Sequence, residues 1–225
     1  MKTDRRTTGV AVLDELLGGG LETRTITQIY GEPASGKSTL CMLAAVSCLR
    51  EGHPVVYIDS EGFSIERFRQ IAGEDTERIA EHLFLFEPLD FEHQGTMIAE
   101  AEKVLKAHKP GLLVMDSATA LYRTDLEKGR DALQALTKQM IHLLGYCKRY
   151  EIPVIITNQV YMDTLKNTFY GLGGVALEHL SKAIIRLEKT DIAGVRRARL
   201  VKHRSRPEGE SFTFEIVEKG VRVRD

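Results

Sequence analysis

Apolar residues fall along this chain in two alternating rhythms. Short runs in which nearly every position is apolar, at residues 54–59, 83–86, 111–116 and 153–159, are too brief for helices and predict strands buried on both faces. Between them lie segments with helical spacing, at residues 39–50, 65–71, 76–81, 95–107 and 126–150. Residues 23–30 alternate as a strand does, and residues 8–21 suggest a short amphipathic helix halted by Gly18, Gly19 and Gly20. After Gly174 the rhythm changes: residues 182–188, 195–201, 211–217 and 221–224 are strand-like with polar turns between them, which predicts an antiparallel extension. The whole pattern predicts an α/β fold, a mostly parallel twisted sheet flanked by helices, with ligands at the carboxyl ends of its strands. No internal repeat or low-complexity linker interrupts it, and 225 residues suit a single large domain spanning 1–225.

Composition removes several function classes. With 43% hydrophobic and 28% charged residues and a formal net charge of −1, the chain has no global signature of nucleic-acid or membrane binding, so any basic surface is local. Cys41, Cys48 and Cys147 form no C-x-x-C pair, and free thiols in a reducing compartment are expected. The first six residues precede no signal-type apolar run, and no stretch of about 18 apolar residues is present to span a bilayer. A cytoplasmic protein without membrane contact is expected.

Gly31, Glu32, Pro33, Ala34, Ser35, Gly36, Lys37 and Ser38 meet every fixed position of the P-loop pattern G-x-x-x-x-G-K-[ST]. With average residue usage those positions coincide by chance in roughly one chain of this length in a hundred. Here a strand pattern precedes them and a helical one, beginning near Thr39, follows, which is the context the motif needs. The chemistry follows from that context. Backbone N–H groups and the positive end of the helix cradle an anion, Lys37 reaches the β- and γ-phosphates, and Ser38 ligates magnesium.

Three strand ends offer partners for such a site. Asp116 follows four apolar residues and has the form of a Walker B aspartate that holds magnesium, against the plain alternative of a turn aspartate. Glu61 lies just beyond the strand ending at Asp59; if that strand adjoins the P-loop strand, its carboxylate is placed to activate water, and otherwise it is a solvated loop residue. Gln159 ends another strand and suits a γ-phosphate sensor, or is an ordinary strand-end glutamine.

In order and spacing, residues 58–67, 116–125 and 156–159 and the pair Gly173 and Gly174 resemble the ATPase core of the RecA/RadA recombinase superfamily. The likeness runs from about Thr7 to the C-terminus, and residues 116–125 are nearly the form found in archaeal RadA and its eukaryotic counterparts. The chain starts directly at this core, without RadA's helix-hairpin-helix domain, which is the form of an archaeal RadA paralogue. The resemblance implies a RecA-like P-loop ATPase core that binds ATP and Mg2+. In it Glu61 is the water-activating glutamate, Arg67 stacks on adenine, and Gln159 couples the γ-phosphate to a second DNA-binding loop at residues 160–172. It further implies that His179 senses phosphate from the far side of that loop and that Pro207 caps the adenine of a neighbouring subunit.

Departures from the family pattern shape the expected function. Ser64 replaces an arginine, and Lys202, His203 and Arg204 stand where RadA-type proteins carry an acidic residue, so cations there suit a phosphate of nucleotide or DNA. Arg196, Arg197, Arg199, Lys202, Arg204 and Arg206 form a basic strip with no acid among them, readable as a DNA contact or as a charged sheet edge that resists aggregation. Lys166, Tyr170, Tyr161 and Phe169 give the second loop a phosphate contact and stacking surfaces, or are buried loop aromatics. Both DNA loops look short, and RadA's polymerisation motif would lie in the missing linker. The expectation is a weakly hydrolysing, ATP- and DNA-binding accessory to the main recombinase RadA, not competent for strand exchange alone. Its expected partners are single-stranded or branched DNA, a RadA-type recombinase and a junction nuclease, with a dimer as the candidate oligomer. Two alternatives stand beside it. One is a non-catalytic mediator that holds ATP structurally; the other is a KaiC-like signalling ATPase, whose core opens as residues 13–20 do but lacks a match to residues 116–125.

Overall fold

The computed structural model describes residues 4–163 and 168–224. The chain opens with β1 (Arg5–Arg6), α1 (Ala11–Leu16) and β2 (Leu21–Glu22), the two strands pairing antiparallel around the helix. Asp14 ties this segment together. Its carboxylate accepts from Thr7 and Thr8, and its backbone carbonyl accepts from Gly19 and Gly20. β3 (Ile26–Gly31) then leads into α2 (Lys37–Arg50). Next come β4 (Val55–Asp59) with α3 (Ile65–Ala72) and α4 (Thr76–Ala80), β5 (Leu83–Phe86) with α5 (Phe91–His108), and β6 (Leu112–Asp116) with α6 (Arg130–Tyr150). After β7 (Val154–Asn158) a separate hairpin, β8 (Val160–Asp163) and β9 (Thr168–Gly171), precedes α7 (Gly174–Leu180). The chain finishes in β10 (Ser181–Lys189), β11 (Val195–His203), β12 (Ser211–Val217) and β13 (Gly220–Arg224).

Among the described residues nine strands share one sheet, in the order β13-β12-β11-β10-β3-β7-β6-β4-β5. From β10 to β5 neighbours run parallel, and from β10 to β13 they run antiparallel, so the expected extension is present. The parallel part is apolar on both faces because helices cover both. Along β4, Val55 and Tyr57 join a core with α1 to α4, whereas Val56 and Ile58 join a second core with α5, α6 and α7. The antiparallel part packs one face only. Ile185, Leu187, Ala198, Leu200, Phe212 and Phe214 continue the first core. Alternation places Arg186, Glu188, Arg197, Arg199, Glu215, Arg222 and Arg224 on the opposite face, all half-buried or exposed.

Some boundaries differ from the sequence pattern. α5 starts four residues early because Asp90 caps it, its side chain accepting from the His93 N–H at 2.7 Å. α6 starts late: residues Tyr122–Lys128 wind as a 3-10 helix, and Gly129 at φ 56° breaks the path into Arg130. α7 has no counterpart in the sequence pattern. The strand order also corrects one expectation, since β4 does not adjoin β3. β7 and β6 lie between them, because a crossover helix carries the chain past two positions that later strands fill.

Candidate nucleotide-binding site

β3 delivers the chain to the loop through Gly31, where a Cβ would lie 2.3 Å from the Leu187 carbonyl oxygen of the neighbouring strand, so only glycine fits. Ala34 at φ 61° and Gly36 at φ 103° complete the turn, and Gly36 starts α2 without a side-chain cap. The first N–H groups of a 14-residue helix therefore face the loop with no side-chain acceptor. Ser35 Oγ is buried there without a partner. An uncapped helix end and an orphaned hydroxyl are the arrangement a bound phosphate would complete. Lys37 is buried; its Nζ donates to the carbonyls of Gly31 at 3.0 Å and Glu32 at 3.1 Å, so the ammonium rests on its own loop. Burial pushes its pKa down, opposed by the charges of Glu61 and Asp116.

Facing the loop, β4 and β6 end in register with Asp59 opposite Asp116. Asp116 is 2% exposed and accepts from the Tyr57 hydroxyl at 3.1 Å, the Thr157 hydroxyl at 2.6 Å and the Ser38 side chain. Burial raises its pKa, and those hydrogen bonds pull it back. Asp59 is pushed up to about 7, by burial first and then by the charge of Asp116, against the Gly62 N–H that it accepts at 2.6 Å. Among the described residues no group of three or more His, Cys, Asp or Glu side chains forms an all-protein metal site. Ser38 beside one buried carboxylate instead fits magnesium, which keeps waters and takes phosphate oxygens.

Although β4 lies three positions from β3, the turn after it brings Glu61 back to the site. Gln159 Nε2 donates to Glu61 Oε1 at 3.0 Å, so the two strand-end residues singled out as base and sensor touch each other. Gln159 Oε1 is buried with no partner. A cavity of about 80 Å3 lies beside Ser38, Thr39, Glu61, Arg67 and Asp116. Arg67 reaches it from α3, whose N-cap is Ser64. Its guanidinium donates to Gln70 Oε1 at 2.9 Å and to the carbonyls of Val217, Glu218 and Gly220, each at 2.8 Å, tying α3 to the β12–β13 turn.

The basic strip does not stay together. Strand alternation sends Arg196 toward the P-loop, where it donates to the Ala34 carbonyl at 3.3 Å, and Arg197 to the open sheet face. Lys202 Nζ donates to the Glu178 carbonyl at 2.5 Å, Arg204 pairs with Glu22, and Arg206 reaches Glu210. Pro207 sits in the exposed turn between β11 and β12. His179, on α7, lines a separate cavity of about 340 Å3 with Gln28, Tyr30, Tyr170 and Lys202. In the hairpin Tyr161 and Tyr170 are exposed and stack with centroids 5.9 Å apart; Lys166 lies outside the described residues. Sequence reasoning missed Tyr57, Thr157 and Asp59, since the strand order that gathers them around Asp116 is not a local signal.

A family model described as Rad51 matches residues 2–224. A DNA repair and recombination protein RadB from Methanoculleus marisnigri is 67% identical, covering 99% of this chain and all of its own length. One of the same name from Methanococcoides burtonii is 45% identical, over 93% of this chain and 94% of its own. A crystal structure of the RadB recombinase superposes with a TM-score of 0.82 at 39% identity, covering 96% of this chain and 97% of the other. The likeness to the RecA/RadA superfamily, and within it to the archaeal paralogue RadB, is thereby borne out. Among the described residues no helix is long and apolar enough to cross a membrane.

Proposed function

The chain belongs to the Rad51 family, and from that membership we propose that it is an ATP- and DNA-binding protein of DNA repair and homologous recombination, accessory to a RadA-type recombinase. The loop from Gly31 to Thr39 holds the phosphates through its backbone amides, and Lys37 turns from its own carbonyls onto the β- and γ-oxygens. Ser38 and Asp116 hold magnesium, which when bound neutralises phosphate charge. Glu61 accepts a proton from the attacking water. Arg67 offers adenine the faces of its guanidinium, because its two terminal amino groups are already engaged by carbonyls, while its Nε–H is buried without a partner. Pro207 caps the nucleotide of a second copy in a dimer.

The observation that carries the reading is the 3.0 Å contact between Gln159 and Glu61 at the base of the hairpin. A base held by the residue that senses phosphate makes turnover slow until that contact opens, which suits a switch better than a motor. DNA engages the tyrosines of the hairpin by stacking and the arginines of the open sheet face through its phosphates. Single-stranded or branched DNA is the ligand, and a RadA-type recombinase or a junction nuclease is the protein partner.

ATP turnover and ATP affinity, measured with no DNA, single-stranded DNA and branched DNA, test this. Glu61→Gln is expected to lower turnover roughly 10²–10⁴-fold while retaining ATP binding, and Lys37→Ala to lose binding itself. Turnover unchanged by Glu61→Gln removes the base from its role. The same contact also favours a second reading, in which ATP is a structural ligand and function lies in protein contacts. Repair activity in cells that survives Glu61→Gln would select it.

A further inference from the structure

Two buried side chains at the base of the β8–β9 hairpin have no role in the reading above. Thr119, in the turn after β6, is fully buried, and Asn158, which ends β7, is 1% exposed. The Thr119 hydroxyl donates to Asn158 Oδ1 at 2.8 Å and accepts the backbone N–H of Gln159 at 2.9 Å. Asn158 Nδ2 donates to the Leu172 carbonyl at 2.9 Å, and the Leu172 N–H donates to the Gln159 carbonyl at 2.9 Å. Both ends of the hairpin are thus fastened to one threonine and one asparagine.

The fastening continues to the other side of the site. The Thr119 N–H donates to Ser117 Oγ at 3.1 Å, the Ser117 N–H donates to Ser60 Oγ at 3.0 Å, and Ser60 Oγ donates to the Ser117 carbonyl at 2.9 Å. Ser60 immediately precedes Glu61. A closed circuit therefore runs from the Glu61 turn through Ser117, Thr119 and Asn158 to Gln159, whose amide returns to Glu61. Little slack remains in it. The single hydroxyl proton of Thr119 is committed to Asn158, leaving an oxygen lone pair for the Gln159 N–H. At Gly171 a Cβ would lie 2.7 Å from Asn158 Nδ2, so the hairpin strand itself abuts the asparagine.

We propose that Thr119 and Asn158 are positioning residues that make the hairpin and the Gln159–Glu61 contact one mechanical unit. A single strand stacked on Tyr161 and Tyr170 displaces the hairpin, and the clasp passes that displacement to Gln159, lifting its amide from Glu61. Coupling of this kind is reciprocal: a nucleotide that draws Gln159 toward its phosphate moves the hairpin. Without the hydroxyl, the Gln159 N–H and Asn158 Oδ1 lose their partner and the hairpin turns on its base independently of Glu61. The inference rests on Gln159 as sensor and Glu61 as base.

The test compares the full-length wild type with Thr119→Val, which keeps the shape and loses the hydroxyl, and Thr119→Ser, which keeps the hydroxyl. Thr119→Ala serves as the hydroxyl-free variant if the valine variant does not fold. ATP turnover is measured with and without an oligothymidine strand, and amide hydrogen exchange at Gln159 and Leu172 with and without ATPγS and magnesium. In the wild type, the strand changes kcat and the nucleotide changes exchange at both amides. Thr119→Val is expected to lose both responses, its kcat ratio falling to within about 1.5-fold of unity while KM for ATP stays within about twofold. Thr119→Ser is expected to restore both. A folded hydroxyl-free variant with wild-type responses overturns the clasp and leaves the sensor standing. A wild type whose turnover ignores DNA and whose hairpin ignores nucleotide overturns both.

Discussion

β4, β6 and β7 are buried on both faces, whereas β11, β12 and β13 bury one face and present polar and charged side chains on the other, arginines on β11 and β13 and Glu215 on β12. One sheet thus contains a half that is core throughout and a half that is wall on one side and surface on the other. The P-loop strand β3 lies at the seam, with β7 on its parallel side and β10 next to the antiparallel half. The metal and sensor candidates come from the first half, where Asp116 ends β6 and Gln159 lies just beyond β7. The second half supplies Arg196 to the loop and backbone carbonyls to Arg67. The candidate site is thus built on the half that is core throughout, whereas the other half keeps one face outside the core.

The largest expected difference between the halves is in stability. Ile58→Ala in β4, fully buried, is expected to cost about 2–5 kcal/mol, and Val223→Ala in β13, half-buried, about 1 kcal/mol. Urea midpoints measure both, and equal losses would erase the contrast between core and wall.

A smaller effect is expected from pH, and it starts from Asp59 in the parallel half; His203 on β11, its pKa lowered by burial and by the charge of Arg5, pulls the other way as pH falls. Asp59 has its folded pKa raised from 3.8 to about 7, so the folded state binds the proton more tightly than the unfolded chain does. Its stabilising contribution is complete below about pH 4 and is lost as pH rises through about 7. The nucleotide-free protein should therefore melt at lower temperature at pH 8 than at pH 5. Asp59→Asn should flatten that slope, while Asp116, raised in the same direction, retains part of it. A wild-type melting temperature that climbs over this range would refute the assignment.

The smallest stability change is expected on the open face. Arg199→Ala with Arg222→Ala should leave the urea midpoint within the equivalent of about 0.5 kcal/mol. The salt dependence of single-stranded DNA binding should become shallower by roughly 0.7 in log–log slope for each phosphate that the variant no longer neutralises. An unchanged slope would take this face out of the DNA footprint.

How much of this was legible in the residues depends on how local each cause is. Residues 112–115 declare a strand buried on both faces because no polar side chain interrupts them, and Gly36, Lys37 and Ser38 declare the phosphate loop because backbone geometry there admits few alternatives. Strand order is different. Nothing within residues 55–59 says that β6 and β7 will come between them and β3, so the pattern puts Glu61 near the site through a neighbour relation that does not exist, and it reaches Gln159 by the turn after β4 instead. α7 escapes the pattern because Gly173 and Gly174 at its start read as loop, though both take up positive φ, at 75° and 52°. Arg204 and Lys202 look unopposed in sequence because their partners, Glu22 and the Glu178 carbonyl, lie outside the strip, earlier in the chain.

Arg67 has a bearing on inheritance as well as on binding. Its guanidinium meets carbonyls of a turn 150 and more positions later in the chain, and those carbonyls converge only while the turn between β12 and β13 keeps its length. An insertion there withdraws acceptors from a partly buried cation, and loss of the arginine frees the turn to drift. Across related chains the two sites should therefore change together or stay fixed together, so that a short surface turn, ordinarily among the most permissive parts of a protein, records the history of the wall beside the nucleotide.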